Sequence, residues 1–157
     1  QEYEIFGQLL TAIGAETGTN DFRISNMGPL ADPDYDAYFP DVAWNGTDNE
    51  FLVVWQGDDD TGSLVNEEWE GFFQVVAGAT GAEVGPDERI SDMGTDGDTA
   101  SDTYEPDVAW NSTDNEFLVV WQGDEDVAPL IDGENEIFGQ RLDGAAVPIK
   151  VSGYLVD

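Results

Sequence analysis

The segment from Asp41 to Asp58 reads DVAWNGTDNEFLVVWQGD, and it returns from Asp107 to Asp124 as DVAWNSTDNEFLVVWQGD, changed only at Gly46 against Ser112. The two copies lie 66 residues apart, and the same offset links Ile24 with Ile90, Phe6 with Phe72 and Phe138, and Gln8 with Gln74 and Gln140. One period therefore covers nearly the whole chain. A repeat of this size predicts similar units stacked on their neighbours.

Each period holds four short runs rich in aromatic and β-branched residues, separated by Gly, Asp, Asn and Pro, which predicts strands and turns. Strand A is VAWN, at Val42–Asn45 and Val108–Asn111; strand B is EFLVVWQ, at Glu50–Gln56 and Glu116–Gln122. Strand C centres on Phe6–Gln8, Phe73–Gln74 and Phe138–Gln140, and strand D is expected at Phe22–Ser25, Glu88–Ser91 and Pro148–Val151. The A–B connection, GTDN or STDN, reads as a polar hairpin turn. Strand B is apolar on both faces at its centre, as a strand stacked between two neighbours requires. Pro40 and Pro106 stand just before strand A, a tolerable place for proline.

Four antiparallel strands per period predict an all-β fold of β-propeller-type blades. The chain reads as about two and a half 66-residue repeats: residues 1–25 as an N-terminal half blade of strands C and D, 40–91 as a first full blade, and 106–157 as a second with a C-terminal extension. Open stacked β-sandwich modules are the alternative. So few blades do not close a ring, and a half blade leaves strand edges open, so completion by other subunits is expected. An open head-to-tail contact would give a filament and a closing one a ring.

The chain resembles the acidic tandem blade repeats of bacterial secreted or surface proteins. The resemblance is carried by PDVAWN at Pro40 and Pro106, NEFLVVWQGD at Asn49 and Asn115, and EIFGQ at Glu4 and Glu136; the middle copy departs, reading EGFFQ from Glu70. It implies the propeller-type fold and an extracellular or cell-surface location. More distantly, the chain is similar to calcium-loaded propellers of the integrin-α kind. That family's Asp–x–Asp–x–Asp–Gly loop is not intact here, since the nearest stretch, DMGTDGD from Asp92, is spaced differently.

Charge narrows the partners. There are 35 Asp and Glu against four Lys and Arg, giving a formal net charge of −31. Such a surface repels nucleic acid and anionic lipid, and no apolar run approaches the roughly 20 residues of a membrane-spanning helix, so neither nucleic acid binding nor membrane insertion is expected. Five Trp, five Tyr and eight Phe separate the chain from disordered acidic tails. With no Cys and no His, soft-metal sites are disfavoured and a hard cation such as Ca²⁺ is the expected cofactor. The chain opens with Gln1 in mid-pattern, which reads as a processed or excised segment.

Two acidic constellations recur. After strand B come Asp58 and Asp60, repeated as Asp124 and Asp126; before strand C come Glu68 and Glu70, repeated as Glu134 and Glu136, with Glu2 and Glu4 in the N-terminal copy. If B and C are neighbours, these carboxylates are expected to converge and hold Ca²⁺, which takes six to eight oxygens from flexible loops. The alternative is solvated acidic loops. The D–A connection supplies a second set: Asp32, Asp34, Asp36 and Asp41, then Asp96, Asp98, Asp102 and Asp107. Here turn formation by Asp and Gly explains the residues equally well.

Trp44, Trp55, Trp110 and Trp121 recur at strand positions and are expected in the core, whereas Trp69 has Tyr3 and Asn135 as counterparts and is the candidate sugar-stacking or interface residue. Asn45 and Asn111 each open an Asn–x–Thr glycosylation sequon, although the same residues are ordinary turn formers. Catalysis is not expected: His and Cys are absent, and among 35 acids any glycosidase-like pair lacks specificity. The expected function is a self-assembling extracellular structural repeat, a homo-oligomer with Ca²⁺ in its acidic loops. The alternative is a calcium-dependent carbohydrate-binding or adhesin module.

Overall fold

In the computed structural model, residues 2–29, 31–125, 130 and 133–150 are described. They form nine strands and no helix: β1 (Phe6–Leu10), β2 (Glu16–Arg23), β3 (Ala37–Asn45), β4 (Glu50–Asp58), β5 (Trp69–Ala77), β6 (Glu83–Arg89), β7 (Thr103–Asn111), β8 (Glu116–Asp124) and β9 (Asn135–Asp143). All pair antiparallel in sequence order, giving a first sheet β1-β2, a second β3-β4-β5-β6 and a third β7-β8-β9. No helix is present among these residues that could cross a membrane. The four-stranded A–B–C–D order expected for one period is that of the second sheet.

Two apolar clusters lie between successive sheets. One joins Ile5 and Ile24 to Val53, Trp55, Phe72 and Val76; the other joins Leu52, Val54, Phe73 and Val75 to Val108, Phe117, Val119, Trp121 and Leu142. Along β4, odd-numbered Phe51, Val53 and Trp55 turn to the first sheet, and even-numbered Leu52 and Val54 turn to the third. The side-chain period of two in a strand produces this division, and cover on both sides explains why EFLVVWQ is apolar throughout.

Strand A differs from the expectation. It begins at Ala37 and Thr103, and Pro40 and Pro106 lie inside it at a bulge between Tyr38 and Asp41, and between Tyr104 and Asp107. Phe39 and Glu105, just before the prolines, take φ of +53° and +47°. A proline cannot donate to a ladder, and the bulge is where its missing N–H costs no pairing. The A–B turn is as expected: Asn49 and Asn115, with φ of +60° and +54°, occupy the left-handed region that Asn tolerates.

Strand D is a correction. It spans Glu16–Arg23 and Glu83–Arg89, so it ends about where Phe22–Ser25 and Glu88–Ser91 were expected to begin or continue. At the Ile–Ser residues that follow, the Ile24 and Ile90 N–H groups still donate to the Ile5 and Gly71 carbonyls. The return bonds from the Ile5 and Gly71 N–H groups go to the Ser25 and Ser91 hydroxyls in place of backbone carbonyls, which ends the regular ladder. In the third sheet, Pro148 bridges Leu142, as Glu83 pairs with Val76. Pro148–Lys150 thus makes one isolated bridge where strand D was expected and forms no strand, and Val151 lies outside the described residues.

The recurring glutamine of strand C also finds its reason. The C–D pairing shifts register between Gly7 and Leu9 and between Phe73 and Val75. The amide nitrogens of Gln8, Gln74 and Gln140 donate to carbonyls there, including Thr17, Val84 and Ile149 across the gap. A side chain thus supplies hydrogen bonds that the irregular backbone lacks.

Candidate functional site

The recurring acids gather where strand B ends, strand C begins and the D–A loop passes, and most of them accept N–H groups of the protein. Asp36 Oδ1 accepts the Tyr3 N–H at 2.7 Å, and its counterpart Asp102 accepts the Trp69 N–H at 3.1 Å. Each carboxylate, one residue before strand A of its sheet, reaches the preceding sheet at the start of strand C (Trp69) or just before it (Tyr3). Their second oxygens take the Tyr38 and Tyr104 hydroxyls at 2.8 and 2.9 Å. Burial, with the hydrogen bond to the neighbouring carboxylate, pushes both phenols up to about 12. These aspartates fasten one sheet to the next, since a charged acceptor on a backbone N–H is among the stronger hydrogen bonds.

Glu4 and Glu70 are deep and fully engaged. Glu70 accepts the Ser91 hydroxyl, the Met93 N–H at 3.0 Å and an Arg89 guanidinium nitrogen at 3.5 Å. Glu4 repeats the set with Ser25, Met27 and Arg23. Burial raises Glu4 and pushes Glu70 up to about 7, against the pull of these donors. Glu136, at the equivalent place in the third sheet, is exposed. Glu2 and Glu68 accept the N–H groups of Ala31 and Gly97, and Glu134 is exposed.

Asp58 and Asp124, like Glu2, whose Oε1 lies 3.6 Å from an Arg23 guanidinium nitrogen, each keep one buried oxygen without a hydrogen-bond donor among the described residues. In the two aspartates, one oxygen closes the B–C loop by accepting an N–H nine residues on, from Glu67 at 2.7 Å and from Gly133 at 2.9 Å. The other, Oδ1, is buried in both, and no donor among the described residues reaches it. Burial pushes the Asp58 carboxyl up to about 7, and Asp36, Glu67 and Asp59 add to the rise. Asp60 is exposed, and Asp126 lies outside the described residues. Among the described residues no three acidic side chains close on one point as a metal cage would.

In the D–A loops, Asp32 and Asp98 accept N–H groups two residues on, from Asp34 and Ala100, as turn-forming aspartates do. Asp34 is exposed, and Asp96 pairs with Arg89 at 2.8 Å. Asp41 crosses to the third sheet by accepting the Val108 N–H at 2.8 Å, while Asp107 is exposed.

Trp69 is half-buried with its ring centroid 5.6 Å from Tyr38, and Tyr38 lies 5.2 Å from Tyr3. The three rings form a ladder across the first junction, held by the same Asp36 that fastens it. Asn45 is buried, its amide donating to Asp48 and to the Gly144 carbonyl, whereas Asn111 is exposed. Both accept the N–H of the threonine two residues on and so shape their turns.

Sequence reasoning passed over Asp59 and Glu125. They accept the Gly28 and Gly94 N–H groups at 3.0 and 3.2 Å and tie the B–C loop to the loop after strand D. Their common place 66 residues apart was the available signal, masked by the change from Asp to Glu. No family model, no curated protein and no solved structure matches this chain.

Proposed function

We propose that the protein is a structural repeat module of an extracellular or cell-surface assembly, built of propeller-type blades of the acidic tandem-repeat kind and stabilised by Ca²⁺. The carrying observation is the pair Asp58 and Asp124, each with a buried oxygen that no donor among the described residues reaches. A buried charged acceptor without a partner is costly, and a hard cation is the ligand chemistry that satisfies it. The two lie one period apart, so the reading gives the chain a site in each full repeat and no unique centre. That repetition favours a scaffold over an enzyme. The fasteners at Asp36 and Asp102 support the same reading, because they serve stacking.

Thermal melts with Ca²⁺ and with a chelator, at one ionic strength, test the proposal. A cation bound only by the folded state stabilises it by about 2.7 kcal/mol at a hundredfold excess over Kd. The midpoint is expected to rise in Ca²⁺ for the wild type and to stay put for the double variant Asp58→Asn, Asp124→Asn. Equal wild-type midpoints would remove calcium from the account.

A further inference from the structure

The first sheet contains strands of the C and D kind alone, and this leaves two features of the second sheet and its neighbour uncovered. β1 is paired only with β2, so among the described residues its other edge has no partner. In the second sheet that edge of the C strand is taken by β4, and in the third by β8. Beside the open edge, Val42 is 55% exposed, while its counterpart Val108 is 7% exposed. Trp44 is 42% exposed, while Trp110 packs into the second cluster. Ala43, Leu52 and Val54, from the A–B hairpin of the second sheet, belong to the cluster that covers Val108 and Trp110. An open cavity of about 320 Å³, bordered by Phe6, Val42 and Phe51, runs under the unpaired edge.

We infer that the notch beside β1 is a docking site for a β-hairpin of this same repeat, a strand of the VAWN kind joined to one of the EFLVVWQ kind. The second sheet shows how such a hairpin seats. Its B strand pairs antiparallel with the C strand, with Trp55 opposite Phe72 and Phe51 opposite Val76; in the third sheet Trp121 faces Phe138 and Phe117 faces Leu142. The register on β1 follows: the Trp of the incoming strand lies opposite Phe6 and its Phe opposite Leu10. The edge gains ladder hydrogen bonds, and the hairpin's Ala, Leu and Val cover Val42 and Trp44. Main-chain pairing gives affinity and the alternate side chains give selectivity, as in other cases of strand addition. The inference rests on reading the sheets as stacked units of one repeat, and not on calcium.

The test is an N-terminal extension of the full chain. A copy of residues 37–66 joined directly to Gln1 continues the repeat in register, because position 67 corresponds to position 1. Amide hydrogen exchange of the β1 groups facing away from β2 is expected to slow by about tenfold or more. Acrylamide quenching of Trp44, read as the difference from a Trp44→Phe variant, is expected to fall. The same extension carrying Val53→Asp and Val54→Asp in its own strand should leave both readouts unchanged. Equal protection by that variant, or unchanged exchange with the wild-type extension, overturns the inference. So does protection of the β1 edge in the unextended chain that tracks dimerisation in sedimentation, since a second copy's edge would then be the occupant. A protein that melts identically with and without Ca²⁺ but gains β1 protection loses the calcium proposal and keeps this one.

Discussion

The two junctions between sheets use the same positions and fill them differently. At the first, Ile5 and Gly7 of β1 and its approach face the second sheet; at the second, the corresponding residues are Gly71 and Phe73. Phe73 is buried in the second cluster, whereas Gly7 offers no side chain and borders the open cavity. Bulk is thus exchanged between two positions two residues apart, both on one face of the strand. The third sheet returns to Ile137 and Gly139, so the EIFGQ and EGFFQ variants are two solutions to packing one strand on its neighbour. The comparison teaches that an otherwise near-identical repeat tunes its junctions one at a time.

The largest effect is expected from emptying the better-filled junction. Phe73→Ala removes a buried aromatic ring from the centre of the second cluster. Such truncations cost about 3–5 kcal/mol. Denaturant melts would measure it, and a cost below about 1 kcal/mol would mean that the second junction is no tighter than the first. By the same comparison Trp69→Ala, at a half-buried ring, should cost less than Trp55→Ala, at a fully buried one.

The next effect concerns the acids beneath the junctions. Asp58 stands at about 7 against an ordinary value of 3.8. A raised carboxyl favours the protonated folded form, so its contribution is fully present below the ordinary value and is lost as pH climbs to about 7. Asp36, Glu67 and Asp59 face the same carboxyl and sharpen the loss. In chelator, the stability of the wild type relative to Asp58→Asn should therefore fall by about 1–2 kcal/mol between acid and neutral pH. Urea melts across that window measure it. Ca²⁺ should flatten the difference, and a flat difference in chelator would mean that the carboxyl is solvated.

Much of this was legible from the repeat alone. The 66-residue offset located the strands, their order and the two-faced character of strand B, because the spacing of apolar residues survives duplication. Strand D was misplaced because Arg–Ile–Ser has strand-like composition. The decisive contacts, Ser25 with Ile5 and Ser91 with Gly71, join residues 20 positions apart. The acids were harder still. Carboxylate oxygens accept N–H groups and coordinate cations through the same lone pairs, so sequence marks Asp36 and Asp58 alike. Only the fold separates them: Asp36 has donors for both oxygens, and Asp58 has a donor for one. Trp44 was expected in the core with Trp110 and is instead partly exposed, because the strands that would cover it have no counterpart in the first sheet.

The smallest expected effect addresses the cavity at the first junction. A Cβ added at Gly7 would lie 2.8 Å from Ile24 Cδ1 and 2.9 Å from the Phe22 ring, which is too close without adjustment. Both contacts are ends of side chains, and both residues border the cavity, so each has space to move. Two smaller terms oppose each other. Alanine restrains the unfolded chain and favours a strand interior over glycine by about 0.5–1 kcal/mol, whereas displacing two packed side chains costs a similar amount or somewhat more. Gly7→Ala is therefore expected to change stability by less than about 1 kcal/mol in either direction. A loss comparable to that of Phe73→Ala would show that Ile24 and Phe22 cannot yield. The first junction would then be as closely packed at this position as the second.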